Sequence, residues 1–112
     1  MVSIVLDAFS RFSLDFMDGS IGTIHYLANG APSYPKERLE VFVAGRVLQL
    51  DNYRKLSGFG WPSFKKMTLL TQDKGQKGCA QAFVNAIKDG RGMPIPLTEI
   101  LEVSKVTIEI AK

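Results

Sequence analysis

The chain has 112 residues, 46% of them apolar and 22% charged, with a net charge of +3. That fits one ordinary soluble domain and leaves little room for a second. The basic residues are spread along the chain, which argues against a dedicated nucleic-acid surface, and no apolar run reaches the length of a membrane span. The one cysteine, Cys79, excludes a disulfide within the chain and fits a reducing cytoplasm.

The opening MVSIVLDAF is too short to span a bilayer and lacks the basic segment of a signal peptide. Residues 2–6 have the composition of a short strand, residues 7–11 interrupt it, and residues 1–11 as a whole join no clear pattern. Phe12, Leu14 and Phe16 alternate with Ser13, Asp15 and Met17, the period of a half-buried strand. Asp18-Gly19-Ser20 signals a turn, and the β-rich run after it predicts a hairpin whose second strand covers residues 20–28. Asn29-Gly30 closes that strand. A polar loop with Pro32 and Pro35 then leads to Lys36-Glu37-Arg38, read as a solvated strand entrance.

A third strand is expected over residues 38–44, with Leu39, Val41 and Val43 on one side and Glu40 and Phe42 on the other. Gly45 breaks it, residues 47–50 form the next strand, and Asp51-Asn52 marks a turn after which residues 53–56 continue the meander. Gly58-Phe59-Gly60-Trp61-Pro62 is a loop by composition, with Trp61 anchored on the sheet edge. Residues 64–70 are the last clear strand.

The period then changes. Cys79, Ala82, Phe83, Ala86 and Ile87 form the stripe of an amphipathic helix over residues 73–89, which makes Cys79 a core residue rather than a nucleophile. Asp73 with Gln76 resembles a capping box, and Gly90 is a natural stop. Met93-Pro94-Ile95-Pro96 is extended, because proline disfavours the helical region in its predecessor. Thr98 can cap a second helix. Residues 98–110 read two ways: Ile100, Val103, Thr107 and Ile110 fit one helix face, yet residues 104–110 alternate like a β-branched strand. The helix is the preferred reading.

The expected fold is α+β: a mostly antiparallel open sheet of about five or six strands, then two helices packed on one face, in a single domain over residues 1–112. Apolar residues on both sides of such a sheet need a cover on the second face too. A partner domain or a second copy of the chain could supply it.

Few residues carry chemistry. His25 is the only histidine, with no partner spaced for acid–base work, and one histidine and one cysteine make no metal-ligand set. Gly58-x-Gly60 is not a dinucleotide fingerprint. Lys74-Gly75-Gln76-Lys77-Gly78 is a helix start whose free N–H groups can hold an anion, but the element order of a KH RNA-binding domain is missing around it. The plainer reading is a capped, solvated first turn.

Three stretches together carry a resemblance. DGSIGTIHYLANG (18–30), YPKERLEVFVAGRVLQLDNYRKL (34–56) and QDKGQKGCAQAFVNAIKDGRGMPIPLTEILEVSKVTI (72–108) resemble the C-terminal part of the glucose–fructose oxidoreductase/inositol dehydrogenase (Gfo/Idh/MocA) family. The similarity is to the branch in which this module follows a zinc-alcohol-dehydrogenase-like half. The resemblance implies a helix for residues 98–110 and a sheet that walls a substrate site and mediates oligomers. It also implies that His25, Tyr26 and Lys36 line the substrate side. NAD or NADP is expected only with an upstream Rossmann domain, so the expectation is a fragment or stand-alone relic.

The family's cofactor fingerprint, its Glu-Lys-Pro segment and its Asp-x-x-x-His segment do not occur here; the fourth residue before His25 is Ile21. No catalytic, cofactor-binding or metal residue is therefore assigned, and the isolated chain is expected to be non-catalytic. The expected partners are a Rossmann domain or a second copy at the sheet face, with a sugar-like substrate only in a complete enzyme. The alternative is a free-standing interaction module that dimerises through its open sheet face.

Overall fold

The computed structural model describes residues 11–112 and, for its first strand, the backbone of residues 3–7. The interruption expected over residues 7–11 falls largely on residues 8–10, which lie outside the described residues, as do residues 1 and 2. The class is α+β, with antiparallel strands followed by two helices, as the sequence predicts. The strands are β1 (Ser3–Asp7), β2 (Arg11–Asp15), β3 (Ile21–His25), β4 (Arg38–Val43), β5 (Arg46–Asp51), β6 (Lys55–Phe59) and β7 (Lys66–Thr68). The helices are α1 (Gln76–Lys88) and α2 (Leu97–Ile110).

The strands divide into two sheets, β1-β2-β3 and β4-β5-β6-β7. The segment between β3 and β4 carries Pro32 and Pro35, which cannot donate to a ladder. The chain forms two compact units, residues 1–30 with 85–112 and residues 31–84.

In the first unit the β2–β3 hairpin turns where the sequence places it. Gly19 takes a φ of 85°, and the Ser20 N–H donates to Asp18 Oδ1 at 2.9 Å. That bond, with a second from the Ser20 side chain, holds the Asp18 carboxyl below its ordinary pKa. The register pairs Phe12 with Ile24 and Leu14 with Gly22 on one face, and Arg11 with His25 and Ser13 with Thr23 on the other. One face is therefore apolar and one polar.

α2 follows an extended Pro96 (φ −55°, ψ 138°), which occupies the N-cap position expected for Thr98. Its hydroxyl-bearing residues fit a helix because Ser104 and Thr107 donate to the carbonyls of Ile100 and Val103, each at 2.8 Å. The α1 C-terminus is a Schellman motif: Arg91 N–H donates to Ala86 O at 2.9 Å and Gly90 N–H to Ile87 O at 3.2 Å, with Gly90 at φ 62°.

In the second unit Ala44 and Gly45, at φ 47° and 72°, make a two-residue turn of type I′ between Val43 and Arg46. Gly58 and Phe59, expected in a loop, belong to β6. Glycine suits that strand position because a Cβ on Gly58 would lie 2.7 Å from Phe64 Cδ1 and 3.1 Å from Trp61 Cδ1. Both aromatic rings thus settle on the sheet there. Trp61 anchors the loop on the sheet face at Gly58 of the interior strand β6 and not at the expected sheet edge: its Nε1–H donates to Val47 O at 3.1 Å, and the Arg46 guanidinium lies 4.9 Å from its ring centroid.

β7 is shorter than the predicted strand over residues 64–70, although Leu69 N–H still donates to Arg54 O at 2.9 Å. α1 starts three residues after Asp73, whose carboxylate accepts from Gly75 N–H at 2.8 Å instead of capping the helix. Gly75, at φ 80°, makes the turn that this requires.

The stripe predicted on α1 exists but stays mostly open. Ala86 is buried, whereas Cys79, Phe83 and Ile87 are exposed. The expectation that Cys79 is a core residue is thus corrected, because periodicity reports which face is apolar and not what covers it.

Candidate interaction surface

His25 ends β3 on the polar face of the first sheet, opposite Arg11. Among the described residues no carboxylate bonds it. Tyr26 lies just beyond the strand and is exposed. Lys36 is exposed in the loop before β4 and belongs to the second unit.

Each unit carries a concavity. The larger, about 350 Å³, lies between the apolar face of the first sheet and α2, and is lined by Leu14, Phe16, Ile24, Glu99, Glu102, Val103, Val106 and Thr107. Neighbouring residues of a strand point to opposite faces, so Ile24 lines it and His25 does not. The smaller, about 100 Å³, is in the second unit and is lined by Tyr34, Pro35, Glu37, Arg38 and Asp51. Lys36 shares its loop but not its lining.

The charges around the smaller concavity are largely engaged. Arg38 Nε donates to Asp51 Oδ1 at 2.8 Å, and that contact holds the guanidinium pKa above its ordinary value. Lys74 Nζ meets Glu37 Oε1 at 2.6 Å and lies 5.8 Å from the Tyr53 ring centroid. The other Glu37 oxygen, Oε2, is buried with no hydrogen-bond partner among the described residues. Such solvent-exposed pairs are screened and contribute little to stability. Two of the three charges read as a solvated strand entrance are therefore paired. The anion reading of residues 74–78 also loses one of its two lysines, Lys74, to Glu37 and its Gly75 N–H to Asp73.

What remains open is the second sheet itself. Its register puts Leu39, Val41 and Val43 on one face with Leu48, Leu50, Leu56 and Met67. Trp61 and Phe64 reach this face at Gly58. Beyond them, Leu39 is 56%, Val41 41%, Val43 51% and Met67 51% exposed. The opposite face is mostly polar, with Glu40 bonded to Gln49 Nε2 at 2.8 Å and Arg38 paired with Asp51. One apolar row, Phe42, Val47 and Phe59, crosses it, with Phe42 73% and Phe59 57% exposed.

The alternation of Leu39, Val41 and Val43 was visible in the sequence. The partners on β5, β6 and β7 were not, because they depend on the Ala44-Gly45 turn and on Gly58 being in a strand. Among the described residues, no cluster of histidine, cysteine, aspartate and glutamate could hold a metal ion, and no helix is long and apolar enough to cross a membrane. Compared with known proteins, the chain matches no family model, no curated protein and no solved structure.

Proposed function

We propose that the chain is a non-catalytic, cytoplasmic assembly domain that docks the apolar face of its second sheet onto another protein surface. The observation that carries this is the exposure of Leu39, Val41, Val43 and Met67 together on one face of that sheet. Contiguous apolar surface of this kind marks interaction sites.

The resemblance to the Gfo/Idh/MocA family names one such surface, a Rossmann domain holding NAD or NADP. The chain would then be the substrate-side and oligomerisation domain of a sugar or inositol oxidoreductase, with His25, Tyr26 and Lys36 toward the substrate. Antiparallel strands followed by two helices support that reading.

The test pairs a cofactor titration with sedimentation. NAD(H) added to the chain alone should leave its NMR spectrum unchanged. The wild-type chain should associate with rising concentration, and Val43→Lys with Met67→Lys should weaken that association while circular dichroism stays the same. Tight NAD(H) binding by the chain alone overturns the proposal, and so does association that the double variant leaves untouched.

A further inference from the structure

One edge of the second sheet is open in a specific way. β4 ends the strand order, runs for six residues and contains neither proline nor lysine. Beyond the Arg38–Asp51 pair, Asn52 N–H donates to Glu37 O at 2.7 Å. Bonded and non-bonded pairs alternate along an antiparallel ladder. Glu37, Leu39, Val41 and Val43 therefore turn their backbone groups to β5, while Arg38, Glu40 and Phe42 turn theirs to the open edge. The type I′ turn at Ala44-Gly45 requires the same parity, since its flanking pair Val43–Arg46 is a bonded one. Among the described residues, no other backbone group bonds this edge. Exposed edges of this kind are ready templates for another strand.

We infer that a second copy of the chain pairs antiparallel with β4 across a twofold axis at Val41, joining two four-stranded sheets into one. This rests on the assembly reading and gives the geometry of one partner. Parity sets the register. Outward-facing residues must meet outward-facing residues, which also keeps Leu39, Val41 and Val43 of both copies on the same side of the joined sheet.

Within that rule, an axis at Glu40 sets two carboxylates opposite each other, which is unfavourable. An axis at Leu39 or Phe42 shortens the overlap. An axis at Val41 places Glu40 opposite Phe42, Leu39 opposite Val43 and Val41 opposite itself, and it pairs five of the six strand residues without opposing like charges. The strand is thus its own complement, which favours a second copy over an unrelated peptide. Edge pairing leaves the apolar face uncovered and makes it continuous across both copies.

Sedimentation equilibrium on the full chain tests this with Glu40→Pro, which removes an outward N–H and leaves the β4–β5 bonds in place. The variant should lose one pairing step, its average mass falling to about half that of the wild type, with the same circular dichroism. The register has a second readout that does not depend on the proline variant folding. Opposed non-bonded residues lie about 4.5 Å apart at Cα, within disulfide reach. With Cys79→Ser as background, Val41→Cys should oxidise to a covalent dimer and Leu39→Cys should not.

A Glu40→Pro chain that folds yet keeps the wild-type average mass, or a Leu39→Cys crosslink that forms in place of the Val41→Cys one, overturns the edge pairing. If Val43→Lys with Met67→Lys then abolishes that association, the face reading stands without it. A wild type that is monomeric up to millimolar concentration overturns the inference outright.

Discussion

The first sheet turns its apolar residues Leu14 and Ile24 toward α2, a helix that lies more than seventy residues further along the chain. The second sheet covers its apolar face with two aromatic residues from the short segment between its own last strands, and only near Gly58. Alternation decided which face is apolar in both cases. What covers that face depended on something else: a distant helix in one sheet, a local loop in the other. The locally covered sheet leaves four apolar residues of one face exposed, Leu39, Val41, Val43 and Met67, against Phe16 and Ile24 beside α2 in the first unit, which is why the interaction surface is assigned to it.

The largest expected effect tests that difference directly. Trp61→Ala removes a half-buried ring, its bond to Val47 O and the Arg46 contact, and should lower unfolding free energy by about 2–3 kcal/mol in a urea titration. Val106→Ala trims the cover of the first sheet, where a cavity already exists, and should cost only about 1 kcal/mol. If the two costs are reversed, α2 is the more important cover and the contrast between the sheets fails.

A smaller effect of opposite sign sharpens it. Ala44 holds φ 47° in a turn that favours asparagine or glycine, so Ala44→Asn should stabilise the β4–β5 hairpin by about 0.5–1 kcal/mol. An unchanged urea midpoint would mean that this turn is not limiting.

The smallest effect lies in the first sheet. The Asp18 carboxyl has its pKa lowered by the Ser20 N–H, so its support for the hairpin turn is present above the ordinary carboxylate range. That support is lost as pH falls through the lowered value. The Ser20 amide resonance should titrate below the ordinary carboxylate range in wild type, and Asp18→Asn should abolish the titration.

Much of the fold was legible in the residues. The Asp18-Gly19 hairpin, the stop at Gly90 and the alternation of β4 each rest on local stereochemistry, which a sequence displays directly. The strand ends were harder. Gly58-Phe59 reads as loop because glycine lacks a side chain, yet here the missing side chain is what lets Phe64 approach the strand. α2 was ambiguous because its β-branched residues suit a strand, and the serine and threonine bonds to the preceding turn resolve it only in three dimensions. The division into two sheets was not legible, since a meander with one broken link has the same local pattern as an unbroken one. The candidate surface was half legible: Leu39, Val41 and Val43 stood out, but Met67 and Leu56 join them only through strand register.

The far edge of the second sheet bears on how large any assembly can become. β7 has three residues, begins with Lys66 and is preceded by Lys65, so that edge is short and positively charged, both features that resist pairing. In the language of polymer chemistry, the sheet carries one reactive end and one capped end. A molecule with one reactive end couples once and stops, so edge pairing through β4 yields a closed pair and not a growing fibre.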